Sequence, residues 1–147
     1  GMATALELAQ ADRESETQRL TPLRDRLIEG IRSSIPKTRL NGHATQRLPN
    51  NVNISIMDIE GEALILYMDA QGVYASTGSA CTSASLDPSH VILALGLPYE
   101  VAHGSLRLTL GHSTTQEDID YVLEVLPSLV EKLRSISPVR VDPKYFR

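Results

Sequence analysis

Two short stretches of this 147-residue chain alternate apolar and polar residues with a period of two, and they limit the possible folds more than any other feature. In "NVNISIMDI", Val52, Ile54 and Ile56 fall on one side, with Asn53 and Ser55 on the other. In "SLRLTLG", Leu106, Leu108 and Leu110 oppose Ser105, Arg107 and Thr109. Successive side chains of a strand point to opposite faces, so each stretch predicts a strand with one buried face. Such faces must be covered by another layer.

Helical segments supply that layer. Residues 3–35 are rich in Ala, Leu, Glu, Arg and Gln, and Leu20, Leu23, Leu27, Ile28 and Ile31 recur at helical spacing. Pro22 predicts an interruption there, with Thr21 capping a new helix. The more polar first half reads as a helix that expects a partner surface. "GEALILYMDAQG" reads as a helix bracketed by Gly61 and Gly72, and "GVYAS" as a short strand. Asp87 and Pro88 open a short helix through "SHVILALG" that stops at Gly96. Thr114 with Glu117 forms a capping box for a last helix. Its apolar face carries Ile119, Val122, Leu123, Leu126, Leu129, Val130 and Leu133, and Pro127 should kink or strain it. "SPVRVDPKYFR" reads as an irregular tail. The order predicts an α+β domain with a small sheet covered on one side by helices.

Bulk properties exclude several classes. The length suits one domain. A net charge of −4 argues against a general nucleic-acid or anionic-membrane surface. No apolar run reaches the roughly 18 residues needed to span a bilayer. No secretory signal is visible, and a single cysteine excludes an internal disulfide framework, so a reducing, cytoplasmic setting is expected. Gly1-Met2 reads as a tag remnant before a start methionine.

That single thiol, Cys81, lies in "STGSACTSASLDPSH", among small polar residues rather than in an apolar run. A cysteine used only for packing behaves as a small hydrophobe. Here the neighbours offer nothing bulky to bury the sulfur, so the segment reads as a loop presenting an accessible nucleophile. No Lys, Arg or His lies within eight residues to activate it; His90 is the nearest. The four histidines, His43, His90, His103 and His112, form no recognisable nucleophile–base pattern with Cys81 and no zinc-ligand spacing. No metal site is expected. Arg107 has two readings: a solvent-facing arginine on a polar strand face, or a fork that grips a carboxylate. No phosphate loop or dinucleotide fingerprint is present.

"STGSACTSASLDPSHVILALG", followed by "AHGSLRLTLGHSTTQEDIDYVLEVLPSLVEKLRSISP", closely resembles the C-terminal part of cysteine desulfurases of the nitrogenase and iron–sulfur-cluster type, within the class-V aminotransferases. "LPNNVNISI" and "EGEALILYMDAQGVYAS" look like the same family, so the resemblance covers nearly all of residues 48–138. The motif Ser-x-Gly-Ser-Ala-Cys resembles the long-loop group. The resemblance implies a fold like the small C-terminal domain of fold-type I pyridoxal-phosphate-dependent transferases, with a small, mostly antiparallel sheet covered by helices.

It also implies a reaction for the complete enzyme. L-cysteine condenses with pyridoxal phosphate, whose electron sink labilises the C–S bond. Cys81 takes the sulfur as a persulfide, alanine leaves, and the sulfur passes to an acceptor such as an iron–sulfur scaffold protein. Arg107 matches the residue that holds the substrate carboxylate, and a homodimer is implied. The resemblance places the large cofactor-binding domain, with its Schiff-base lysine, outside this chain. Residues 3–35 are then a leading helix, 36–138 the desulfurase-like domain and 139–147 a tail. No bound cofactor and no turnover are expected of the chain alone. The alternative is a stand-alone persulfide carrier or interaction module.

Overall fold

A computed structural model describes residues 1–78, 87–138 and 140–146. Three strands, β1 (Thr38–Leu40), β2 (Asn51–Ile56) and β3 (Ser105–Thr109), form one antiparallel sheet in the order β1-β2-β3. The register sets Val52 opposite Leu108 and Ile54 opposite Leu106, so the inward residues of both strands share one face. Five helices flank them: α1 (Met2–Ser34), α2 (Gly61–Asp69), α3 (His90–Leu93), α4 (Tyr99–His103) and α5 (Gln116–Ile136).

The main core forms where α1, α2 and α5 cover that inward face. Leu20, Leu27, Ile28 and Ile31 of α1 meet Leu64 and Met68 of α2 and Ile119, Leu126, Val130 and Leu133 of α5. Fully burying aliphatic side chains contributes about 1.5–3 kcal/mol each, and this burial drives assembly of the layers. Gly30 lets α5 approach α1, since a Cβ there would overlap the Leu123 side chain. Arg19 ties α1 to the turn before α5 by donating to the carbonyls of Thr114 at 2.7 Å and His112 at 2.8 Å. Residues 1–15 of α1 are exposed along their whole length.

Several expectations change. α1 runs through Pro22 unbroken, and Thr21 does not cap a new helix: its hydroxyl donates to the Thr17 carbonyl at 2.6 Å. Burial of Leu20 and Leu27 on either side of the proline offsets the missing N–H. α5 likewise continues across Pro127. Its capping box is one residue later than expected, with Thr115 Oγ1 accepting from the Asp118 N–H and Asp118 Oδ2 accepting from the Thr115 N–H. Thr114 instead closes the preceding turn, its hydroxyl accepting from the Gly111 N–H at 2.9 Å. "GVYAS" contributes one bridge, Ser76 to Arg107, rather than a strand. α3 is shorter than expected, followed by a turn to Gly96 at φ +78°, and α4 has no counterpart in the sequence reading.

The sheet is not covered on one side only. Ser55 and Ser105, on the face opposite the main core, are buried as well. A second apolar cluster of Met57, Ile92, Leu97, Val101, Ala102 and Val141 joins α3, α4 and the tail. Gly104 permits this corner, because a Cβ there would overlap the Ile56 carbonyl oxygen. The tail is therefore anchored rather than wholly irregular, and it ends in a 3-10 turn at Pro143–Phe146.

Asp58 ties the tail to the sheet. Its buried carboxylate accepts from Lys37 Nζ at 2.7 Å and from the Val141 N–H at 2.7 Å. Burial alone would raise its pKa, but those two hydrogen bonds and the charges of Lys37 and Arg134 outweigh burial and hold it below the ordinary value. A depressed folded-state pKa stabilises the protein above the unfolded value near 3.9, and that stability is lost as pH falls through the folded value. Asp58→Asn should thus lower unfolding free energy at pH 7 by about 1–3 kcal/mol. Asn tolerates the φ of +66° at this position, so the backbone stays unstrained while the charge and one of the two accepting oxygens are lost. In urea titrations the gap between wild type and variant should narrow as pH falls below about 4. A gap independent of pH contradicts this role.

Candidate functional site

The face of the sheet opposite the main core opens into a cleft of about 600 Å³. Strand alternation places Asn51 and Asn53 of β2 and Arg107 of β3 along its floor. Asn41 and Gly42, just after β1, close one side. Thr77 and Gly78, together with Ser89, His90, Val91, Ile92 and Leu95, close the other.

Arg107 is fixed at its backbone and open at its head. Its N–H donates to the Ser76 carbonyl at 2.6 Å, its carbonyl accepts from the Ser76 N–H at 3.1 Å, and Asn53 is its partner across the β2–β3 ladder. The side chain is exposed, and no described residue accepts from its guanidinium or pairs with its charge. It is the one arginine or lysine among the described residues lining the cleft. A planar fork held at a cleft floor, with no partner among the described residues, suits an anion with two oxygens.

Beside it runs a short amide ladder. Asn41 Nδ2 donates to Asn53 Oδ1 at 2.7 Å and to Ser55 Oγ at 2.9 Å. The Asn41 N–H donates to the Asn53 carbonyl at 2.9 Å, and Arg47 donates to the Asn41 carbonyl. Asn41 is only 4% exposed, yet its Oδ1 accepts from no described residue. A buried, unpaired carbonyl is costly, so the other bonds of Asn41 must hold it in place.

Cys81 lies outside the described residues. The chain on either side of it belongs to the cleft: Gly78 and Ser89 both line it, and a Cβ on Gly78 would lie 3.4 Å from that of Ser89. Of the four histidines, only His90 lines the cleft. The Nδ1 of His43 accepts from the Thr45 and Gln46 N–H groups. His103 and His112 lie 3.5 Å from Glu60 and 3.3 Å from Glu16. Among the described residues no three His, Cys, Asp or Glu side chains are grouped to hold a metal ion. The sequence reading singled out Arg107 but not Asn41, Asn51 or Asn53, and it counted His90 only as a distant neighbour of Cys81. The period-two pattern could have marked Asn53 as facing the same side as Arg107. Only the strand register makes them neighbours.

The profile of the family described as "Aminotransferase class-V" matches residues 1–122. A protein of Methanosarcina thermophila named "Cysteine desulfurase IscS" is 58% identical over 147 residues, which is 100% of this chain and 36% of that protein. One of the same name from Clostridium botulinum is 56% identical over 144 residues, 97% of this chain and 36% of its own length. The chain thus spans about a third of the length of the curated relatives it matches. A solved structure titled "NIFS-LIKE PROTEIN" superposes with a TM-score of 0.75 at 25% identity, covering 89% of this chain and 32% of that one. The NifS-like protein from Rickettsia africae shares the fold with a TM-score of 0.72 at 22% identity, covering 84% and 31%.

The amide ladder has a measurable consequence. Asn41→Ala removes the donor to Asn53 and Ser55 while leaving the backbone bonds. It should cost about 1–3 kcal/mol, seen as a lower urea midpoint with unchanged slope. An unchanged midpoint would show that the ladder is not under load.

Proposed function

The chain belongs to the aminotransferase class-V family, and we propose that it is the small, sulfur-accepting domain of a cysteine desulfurase. The observation that carries this reading is the Arg107 fork, without a partner among the described residues, on the floor of a cleft lined by the chain on both sides of the Cys81 segment. Two residues, Ser79 and Ala80, lie between Gly78 and Cys81, a Cα span of at most about 11 Å, so chain length alone keeps the thiol close to the rim of the cleft that holds Arg107. The high identity to proteins named cysteine desulfurase supports the same reading.

In this reading Arg107 binds the α-carboxylate of L-cysteine bidentately and orients the substrate for attack. The Cys81 thiolate attacks the substrate sulfur. An S–S bond forms while the bond from that sulfur to the β-carbon breaks. The electron pair stays on carbon, which takes a proton to give alanine. The persulfide on Cys81 then passes its outer sulfur to an acceptor protein, of which an iron–sulfur scaffold is the proposed example. The complete enzyme is proposed to be a cytoplasmic homodimer. Among the described residues no helix is long and apolar enough to cross a membrane.

The family implies pyridoxal phosphate, and among the described residues no lysine is placed at the cleft to hold it. None of the three lysines lines the cleft. Lys37 pairs with Asp58, Lys132 lies 4.5 Å over the Tyr67 ring, and Lys144 pairs with Asp142. We place the cofactor's lysine in a domain outside this chain. This chain incubated with pyridoxal phosphate should accordingly develop no stable absorbance band, and a stable band would contradict that placement.

In the complete, cofactor-loaded enzyme, Cys81→Ser should abolish sulfide release and leave the cofactor spectrum intact. Loss of the spectrum would make Cys81 structural. Arg107→Ala should raise the KM for L-cysteine roughly 10- to 100-fold, the loss of a charge-assisted contact. An unchanged KM would return Arg107 to a surface arginine.

A further inference from the structure

We propose that Asn53 is a second binding residue for the carboxylate held by Arg107, with its amide turned to donate by Asn41. The inference rests on the reading of the cleft given above and adds a specificity-determining group to it.

Asn53 and Arg107 are direct partners in the antiparallel ladder and point to the same face. The Cβ atoms of such a pair lie about 4.5–5.5 Å apart, so one small planar ligand can touch both side chains. Either end of an Asn amide could face that ligand, since the group carries one acceptor and two donors. Asn41 decides between them. Its Nδ2 donates to Asn53 Oδ1 at 2.7 Å, which commits the Asn53 oxygen to the β1 side. The Asn41 side chain is buried, and its main chain is bound at both N–H and carbonyl; in this amide orientation Nδ2 donates to both Asn53 Oδ1 and Ser55 Oγ.

With its oxygen so engaged, Asn53 keeps both N–H donors for the cleft, and no described residue accepts from them. Side by side, the Arg107 guanidinium fork and the Asn53 amide NH₂ therefore present donors. That pair matches the two oxygens of an α-carboxylate, and neither group accepts from an amine. Asn53 would thus help fix which end of an amino acid enters the cleft first.

The test compares Asn53→Ala and Asn53→Asp with Arg107→Ala in the complete, cofactor-loaded enzyme. Asn53→Ala should raise the KM for L-cysteine about tenfold with kcat nearly unchanged. Asn53→Asp keeps the acceptor that Asn41 requires, so the ladder survives, yet it should raise KM further because one carboxylate then faces another. A purely structural role reverses that order, with Asp closer to wild type than Ala. That reversal, or an unchanged KM in both Asn53 variants beside a raised KM in Arg107→Ala, overturns the inference and leaves the reading of the cleft standing. An unchanged KM in Arg107→Ala overturns both.

A readout independent of turnover uses this chain directly. The side-chain NH₂ resonances of Asn53 and the Nε–H of Arg107 should shift together on titration with L-alanine and stay still with ethylamine, which lacks the carboxylate. Movement of Arg107 without Asn53 overturns the inference. Movement of neither overturns the carboxylate site itself.

Discussion

The register between β2 and β3 is the constraint on which the rest depends. It sets Val52 against Leu108 and Ile54 against Leu106 on one face, and Asn53 against Arg107 on the other. A slip of one residue would exchange the faces, burying Arg107 in the core and exposing the leucines. The burial that stabilises the domain therefore specifies the site as well. Once α1, α2 and α5 cover the apolar face, the arginine has only the cleft to occupy.

The opposite face is built by devices that depend on distant parts of the chain. Gly104 allows α4 to lie close over Ile56, and Asp58 draws in the tail through the Val141 N–H. These contacts shape the corner that carries α3, and α3 supplies the Ser89 and His90 side of the cleft. Asn41, reached after β1, bridges to Asn53 and Ser55 from the other side. The cleft is a seam between the main core and the second apolar cluster, and its polar floor is held from both.

The strands and the long helices were legible because their signals are local. Period-two alternation located β2 and β3, and the Leu and Ile stripes of α1 and α5 marked the faces that are buried. Failures arose where tertiary packing overrode a local rule. Pro22 reads as a helix break, yet burial of its neighbours carries α1 through it. Thr114 matches a cap pattern, but the turn from Gly111 takes its hydroxyl and leaves capping to Thr115. Ser55 reads as solvent-facing until the segment carrying Asn41 covers it. Within the site, Arg107 stood out by type and position. Asn53 and His90 did not, because their relation to Arg107 arises from pairing 54 positions apart and from the return of the chain at α3.

The central claim is that Cys81 receives sulfur from a substrate held at this cleft. The most direct measurement is mass spectrometry of the complete enzyme after brief exposure to L-cysteine, with thiols blocked before digestion. The peptide containing Cys81 should carry one added sulfur atom, and Arg107→Ala should reduce its yield at low L-cysteine. Sulfur added elsewhere and never on Cys81 would contradict the claim.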